Sequence, residues 1–489
     1  MEKLTKEGPE DRQSSGISIF TVPNSLDETK ENISISTIRQ VKPSKKEIVN
    51  QAIKYHLQGN ILQAKKRYQY VIELGSNDPI VFSNYGLILR DQGKTKESEY
   101  LLRKAIELKP DFVAPYSNLG EMLISLDRFS EAERLLRKAI NLNPNNIQSL
   151  NNLAILLLNK GENDLALKYF YRCVELTRVN RSEESNDYRF LKISKAKIDH
   201  DIEQFEYLAS QNCVTKNFNE LATIYKRVDA EISWPSETTL IDLTGKYLTL
   251  LKDSYNRLIH KVEVTRIEDG AVNSNLDFDR ITNDYFEHEF GLTCIDNFLT
   301  TEALESLRKF FLGSTIWFDV KGGGYLGAYL NEGLANPLIL QIAEELRKKF
   351  PEILQSYPIK QIWAFKYDSR AMRETSLLGG TGVHADQAAV NLNFWITSNE
   401  ANLNPDSGGI IVYEVEAPKE WEFNTYNQDE KKMKAHLKKS NGNKKIFPHK
   451  SNRAVLFNSN LFHETDTYEF KEGYENRRIN VTMLFGNRN

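Results

Sequence analysis

Two imidazoles and one carboxylate are the side chains of this 489-residue chain best placed for chemistry. The segment GVHADQ sets His384 and Asp386 two apart, and in an extended chain side chains two apart share a face. Four of the eight histidines (His384, His436, His449 and His463) fall in the C-terminal third, and of these only His384 has a carboxylate two residues on. One such triplet is weak evidence by itself. It gains weight from His463, which closes the strand-like run AVLFNSNLFHET far downstream. Two imidazoles and a carboxylate can fill one face of an octahedral iron and leave three positions open, where a chelating co-substrate and dioxygen would bind. His449 competes for the third position, but it follows Phe447-Pro448 on a loop and no arginine-bearing strand follows it at a suitable spacing, so His463 is preferred.

A chelating 2-oxo acid with a distal carboxylate needs a buried cation at the far end of its pocket. Arginine suits this best, because its fork pairs bidentately and keeps its charge. Arg478 lies fifteen residues past His463, at the start of RINVTMLFG. Strand alternation puts Arg478, Asn480 and Thr482 on one face, and Arg477 and Ile479 on the other. Arg478 and Asn480 are therefore candidate grips for the carboxylate, with the hydroxyl of Tyr367 as a further donor.

The elements around these residues read as short strands separated by Gly, Asn and Pro: 361–368, 389–397, 409–417, 453–460 and 478–486. A strand-like stretch at 291–300 leads into a helix at 301–312, and 336–354 reads as a second helix. Several short strands with turn signals between them predict an antiparallel sandwich or barrel. The run FDVKGGGYLGA (318–328) is read as a mobile loop rather than a phosphate cradle, because no Lys-Ser/Thr helix follows it. The lysine-rich stretch 424–445 is expected to be a solvated loop, with a lid or a site for an acidic substrate as the functional alternative.

Residues 290–489 resemble the iron(II)- and 2-oxoglutarate-dependent oxygenases, the prolyl-hydroxylase-like branch above all. CIDNFLTTEALESLRKF resembles the lead-in of that branch, PDSGGIIVYEV its Gly-Gly hairpin, and SNRAVLFNSNLFHET the approach to its distal histidine. RINVTMLF is similar to the Arg-x-Asn strand that also occurs in the nucleic-acid-repair demethylases of the superfamily. The resemblance implies a double-stranded β-helix (jelly-roll) with flanking helices. It implies His384, Asp386 and His463 as catalytic ligands of Fe(II), and Arg478 as the 2-oxoglutarate anchor with Asn480 and Tyr367 as further contacts. Ascorbate is an optional reductant. The expected reaction is hydroxylation of a protein or peptide side chain such as proline. Two alternatives stay open: an oxygenase acting on a small molecule, glycan or nucleic acid, and a catalytically inactive interaction scaffold.

Upstream, the chain repeats itself. Ala64, Ser98, Ala132 and Ala166 fall 34 residues apart, in step with Gly59, Gly93, Asp127 and Gly161. Two further registers are small, namely Ala52, Gly86, Gly120 and Ala154, and Val71, Ala105, Ala139 and Cys173. A fourth is large: Tyr68, Leu102, Leu136 and Phe170. Helices pack closely where a small residue on one meets a large one on the other, and such units stack because none buries its apolar face alone. Residues 45–180 resemble four tetratricopeptide repeats, which implies a superhelix whose groove takes a protein or peptide. The segment 194–210 would be the solvating end helix, with His200 on its polar, exposed side.

Four domains follow as an expectation: a disordered tail (1–44), the repeats (45–180), a capping helix and helical linker (181–285) and the oxygenase-like jelly-roll (286–489). Within the linker, 239–264 reads as one helix, and neither His260 nor His288 has metal-ligand neighbours in sequence. Lys+Arg number 64 and Asp+Glu 67, so the net charge is −3 and no global cationic field favours nucleic acid or membrane. Three scattered cysteines argue against a disulfide framework and for a reducing compartment. No apolar run approaches the roughly 18 residues of a membrane span, and the N-terminus lacks a secretory apolar stretch, so the expected location is cytoplasmic.

Overall fold

The computed structural model describes residues 43–180, 188–213, 215–374 and 381–488. Most of the expected tail (1–42) and of the charged linker (181–187) lies outside them. The chain divides into two compact units whose described parts are 43–156 and 157–488.

The first unit is a row of helix–turn–helix pairs: α1 (Lys45–Leu57) with α2 (Ile61–Glu73), α3 (Pro79–Asp91) with α4 (Thr95–Leu108), and α5 (Val113–Ile124) with α6 (Phe129–Leu142). Helix α7 (Ile147–Asn159) opens a fourth repeat and crosses into the second unit. Ser44 starts the row with a capping box, its side chain accepting from the Glu47 amide while Glu47 accepts from the Ser44 amide. The turn residues Gly59, Gly93 and Asp127 all have left-handed backbone, at φ of 72°, 72° and 57°, so the expected turn conformation holds even where aspartate replaces glycine. The small register is a packing requirement: a Cβ on Gly86 would sit 3.1 Å from Leu102, and one on Gly120 would sit 2.7 Å from Leu136. Ser98 takes the alanine position because its buried hydroxyl donates to the Gly86 carbonyl at 2.7 Å.

The second unit begins with α8 (Asn163–Val174), which closes the fourth repeat, then β1 (Lys192–Ile193), α9 (Lys195–Ser210), α10 (Phe218–Glu231), β2 (Ile241–Asp242), α11 (Gly245–Leu251) and α12 (Phe278–Glu287). Two expectations fail here. Helix α9 is not a solvating end, because Ile198, His200, Asp201, Gln204 and Phe205 are all buried. Its polar positions are satisfied internally: Lys197 pairs with Asp201 at 2.5 Å, and Gln204 donates to the Ser314 carbonyl at 2.9 Å. His200 lies at 0% exposure between Lys366, Trp317 and Tyr474. The helix expected over 239–264 is confined to α11. Beyond it Asn256 is left-handed, and the backbone at 259–262 is held by the side chains of Thr315 and Ser314.

The sheet-rich part follows: β3 (Leu292–Ile295), α13 (Thr301–Gly313), β4 (Asp319–Val320), β5 (Leu326–Tyr329), α14 (Pro337–Lys349), α15 (Pro351–Leu354), β6 (Ile359–Tyr367) and α16 (Ser369–Glu374). After these come β7 (Val390–Trp395), β8 (Ile410–Glu416), α17 (Phe423–Asn427), α18 (Glu430–Ser440), β9 (Lys444–Phe447), β10 (Ala454–Asn458), β11 (Leu461–Thr465) and β12 (Arg478–Phe485). All strand pairs are antiparallel. They form a seven-stranded sheet, β3-β10-β7-β12-β6-β5-β4, and a three-stranded sheet, β11-β8-β9, neither of them closed. The inner faces meet in one core, where Trp395, Val455 and Phe457 of the larger sheet pack with Ile410, Val412 and Leu461 of the smaller. The glycine-rich run is the β4–β5 hairpin rather than a mobile loop. The lysine-rich stretch folds as α17, α18 and β9, because Met433 and Tyr426 bury against Val383, Ala385 and Phe462.

Candidate metal and anion site

His384 and Asp386 sit on a short extended segment that enters the smaller sheet through a single antiparallel bridge, His384 to His463. Two backbone hydrogen bonds of 3.0 and 2.8 Å make that bridge, and the Asp386 amide donates to the Ser459 carbonyl at 3.1 Å. His463 is not at the end of the preceding strand, as its sequence position suggested. The chain turns at Ser459-Asn460, and His463 lies inside a new strand, β11. The turn is what brings it opposite His384.

The three side chains converge. One ligand atom from each lies within 4.8 Å of the others, and among the described residues this is the one group of three or more His, Cys, Asp or Glu side chains that could hold a metal. The Nε2 atoms of His384 and His463 are 3.8 and 3.4 Å from the Asp386 oxygens. Each imidazole turns its Nδ1 outward and donates to a backbone carbonyl two residues upstream, His384 to Gly382 at 2.8 Å and His463 to Leu461 at 3.0 Å. That holds both rings with Nε2 aimed inward, the orientation metal-binding histidines require. Burial, helped by the neighbouring imidazole, pushes the His384 pKa down to about 4, so the ring is neutral near pH 7. Burial works against the charge on Asp386, but the two histidines outweigh it and hold the carboxyl below its ordinary range.

Arg478 is the second feature. It is 2% exposed, and its guanidinium donates to the carbonyls of Gly408 and Gly409 at 2.6 and 2.9 Å and to Asn480 Oδ1 at 3.2 Å. Those bonds use three of its five N–H groups. Among the described residues no carboxylate forms an ion pair with it, and burial lowers its pKa. The Gly-Gly hairpin thus cradles the arginine through its backbone, and a Cβ on Gly409 would collide with the Phe447 carbonyl. Tyr367 lies with its ring 4.6 Å from the guanidinium carbon, and its hydroxyl, 3.3 Å from Thr381 Oγ1, also interacts with Arg478. A second hydroxyl beside the arginine belongs to Tyr468, whose ring is 5.8 Å away and whose buried Oη has no partner; the buried Trp395 Nε1 has none either. The sequence held no signal for Tyr468. His449, the alternative third ligand, is outside the metal group and packs against Phe470 and Trp395. His288 pairs with Glu414 at 3.2 Å, and His260 lies beside Cys213 at 3.5 Å.

On the opposite face of β12, Arg477 pairs with Glu203 of α9 at 2.8 Å and with Asp368 at 2.9 Å, while Arg370 closes the cluster onto the same two carboxylates at 2.6 Å. Glu203 was invisible in the sequence because α9 lies about 270 residues upstream of its partner.

The chain therefore carries N-terminal tetratricopeptide repeats followed by a sheet-rich C-terminal region. Tetratricopeptide-repeat family profiles match residues 89–154 and 147–180. No curated protein matches the chain. Similar solved structures include MamA, at 20% identity over 26% of this chain and 75% of that one, with a TM-score of 0.25. The first tetratricopeptide-repeat domain of Spaghetti (RPAP3), bound to an HSP90 peptide, is 20% identical over 24% of this chain and 93% of that one, with a TM-score of 0.23. YrrB, described as a tetratricopeptide-repeat protein with an unusual peptide-binding site, is 19% identical over 38% of this chain and 87% of that one, with a TM-score of 0.25. No described helix is long and apolar enough to cross a membrane.

Proposed function

We propose that the C-terminal region is an iron(II)- and 2-oxoglutarate-dependent oxygenase that hydroxylates a protein or peptide side chain, with the repeats serving as the arm that binds a protein partner. The observation that carries the reading is the pairing of a convergent His384–Asp386–His463 group with a buried arginine that forms no ion pair among the described residues, although the Asp466 carboxylate lies within its electrostatic reach. The donor set suits the metal: two imidazoles and one carboxylate leave positions open for further ligands. The anion end fits as well. Arg478 keeps two spare N–H groups, and Trp395 Nε1 and Tyr468 Oη are orphaned donors on neighbouring side chains. A dicarboxylate would give these two donors partners.

The strand order supports the jelly-roll form of the proposal. From β6 the chain passes from the larger sheet to the smaller at His384, back at β7, across at β8 and β9, back at β10, across at β11 and back at β12. When bound, the metal would supply activation of dioxygen by electrons from the 2-oxo acid. The protein's own groups do the rest. Gly382 and Leu461 hold the two imidazoles in one orientation, and Asn391 holds one Asp386 oxygen at 2.5 Å. Phe457 stacks edge-on against His463 at 5.0 Å and keeps water from that side of the group.

The test is succinate formation from 2-oxoglutarate by the full-length protein with Fe(II) and ascorbate. Turnover that Asp386→Ala abolishes is the expected result. A protein that binds neither Fe(II) nor 2-oxoglutarate would leave the repeats as its functional part and the C-terminal region as scaffold.

A further inference from the structure

We propose that Asn393 is the centre of a positioning chain that runs across the inner face of the seven-stranded sheet and sets the orientation of both the metal carboxylate and the anion anchor. The inference rests on the oxygenase reading and deepens it.

The chain is continuous. Arg478 Nη1 donates to Asn480 Oδ1 at 3.2 Å; Asn480 Nδ2 donates to Asn393 Oδ1 at 3.2 Å; Asn393 Nδ2 donates to Asn391 Oδ1 at 2.7 Å; and Asn391 Nδ2 donates to Asp386 Oδ2 at 2.5 Å. Thr482 adds a second donor to Asn393 Oδ1 at 2.6 Å. All of these side chains are buried, Asn391 completely. The register explains how they meet: Thr482 of β12 lies opposite Asn393 of β7, and Leu484 opposite Asn391, so alternate residues of two neighbouring strands share one face. The surroundings of this stripe are apolar, with Val455 and Phe457 on one side and Trp363 and Phe365 on the other.

The direction of the chain is fixed by its ends. A guanidinium only donates and an ionised carboxylate only accepts. All three amides therefore point their oxygens toward Arg478 and their nitrogens toward Asp386. Turning over any one of them would place nitrogen against nitrogen or oxygen against oxygen and break two hydrogen bonds at once. The aligned dipoles also place partial negative charge beside the buried cation and partial positive charge beside the buried anion, at two groups that have no direct ion pair with each other. Four buried polar side chains, three amides and a hydroxyl, cost more than an apolar core of the same shape unless every member is satisfied. Their arrangement between the two charged ends accounts for their presence.

Asn393 touches neither the metal group nor the anion anchor, so its substitution separates positioning from contact. Full-length protein is titrated with Co(II), read by visible absorption, and then with 2-oxoglutarate by calorimetry; thermal midpoints are recorded alongside. Asn393→Leu is expected to raise both dissociation constants about tenfold, the range of outer-shell substitutions at metal sites. Thr482→Val, which removes the two bonds Thr482 makes beside the chain, to Asn393 Oδ1 and from Asn480 Nδ2, and leaves its four links in place, is expected to change neither by more than about twofold. If Asn393→Leu does not fold, Asn393→Thr carries the same expectation, because one hydroxyl cannot bridge both neighbouring amides. Binding unchanged in the Asn393 variants would overturn the proposal, and so would equal losses in the Asn393 and Thr482 variants. If the unsubstituted protein binds neither Co(II) nor 2-oxoglutarate, it is the oxygenase reading that fails, and the chain's role with it.

Discussion

Replacing Arg478 with methionine tests the anion pocket at its most exposed assumption. The side chain keeps much of its volume, while the charge and five N–H groups disappear. Two of those groups have no carbonyl or amide partner in the structure, and hydrogen bonds to a charged partner contribute about 1.5–3 kcal/mol each. Losing the pair should therefore cost about 3 kcal/mol or more, on the order of a hundredfold in the dissociation constant for 2-oxoglutarate. Co(II) affinity should stay within about threefold, because all three amide links from Asp386 through Asn391 and Asn393 to Asn480 stay in place. The fold should tolerate the change. The carbonyls of Gly408 and Gly409 lose their donor, but a buried guanidinium is also relieved of its desolvation. A net loss of about 2 kcal/mol would lower the thermal midpoint by about 4–8 °C. Calorimetric titration with 2-oxoglutarate in the presence of Co(II) reads the first effect and a thermal melt the last. Unchanged 2-oxoglutarate affinity, or equal losses for metal and co-substrate, would refute the reasoning and leave Arg478 a structural residue of the Gly-Gly hairpin.

Three further predictions concern the frame. Gly120→Ala should destabilise the repeat unit by about 1–3 kcal/mol, because its Cβ would meet Leu136 at 2.7 Å, and Gly86→Ala should cost less; a stabilised Gly120 variant in thermal denaturation would contradict the packing account. Glu203→Gln removes the carboxylate shared by Arg477 and Arg370 and should cost about 1–3 kcal/mol in urea denaturation, with no loss expected if the cluster is dispensable. Burial opposes the charge on Asp368, but Arg477 and Arg370 outweigh it and hold the carboxyl below its ordinary range. The sign follows: its contribution is complete above the unfolded pKa of about 3.9 and is lost as pH falls through the lower folded value, so Asp368→Asn should flatten the acid limb of stability measured between about pH 5 and pH 2.

Local pattern carried much of this architecture. The 34-residue spacing of Gly59, Gly93 and Asp127 specified turn conformation as well as turn position, since a left-handed residue is needed wherever the first helix of a repeat must stop. Five runs of β-branched and aromatic residues became β6, β7, β8, β10 and β12 within two residues of their expected bounds. What failed is long-range. His200 looks polar-faced on its own helix, yet that face is covered by β6 and Tyr474, elements more than 150 residues away. The stripe of 239–264 reads as one helix until a left-handed asparagine and the side chains of Ser314 and Thr315 claim its backbone. The site shows the same contrast. His384, Asp386, His463, Arg478 and Asn480 were visible through spacing and alternation. The two asparagines in the strand NLNFW were a readable anomaly, polar residues repeating on the inward row of an otherwise apolar strand. Tyr468 and Glu203 had no such mark, because only the closed fold puts them near the arginines.

The point at which the chain divides has a consequence for how the repeat row can vary. Helix α8 completes the fourth repeat but belongs to the second unit, where Asn163 donates to Glu344 of α14 at 2.7 Å and the side chain of Asn159 bridges the backbone of Ile359 on both its N–H and its C=O. The end that solenoids normally seal with a polar capping repeat is here made of residues that another fold needs. Copies can therefore be gained or lost only upstream of that junction.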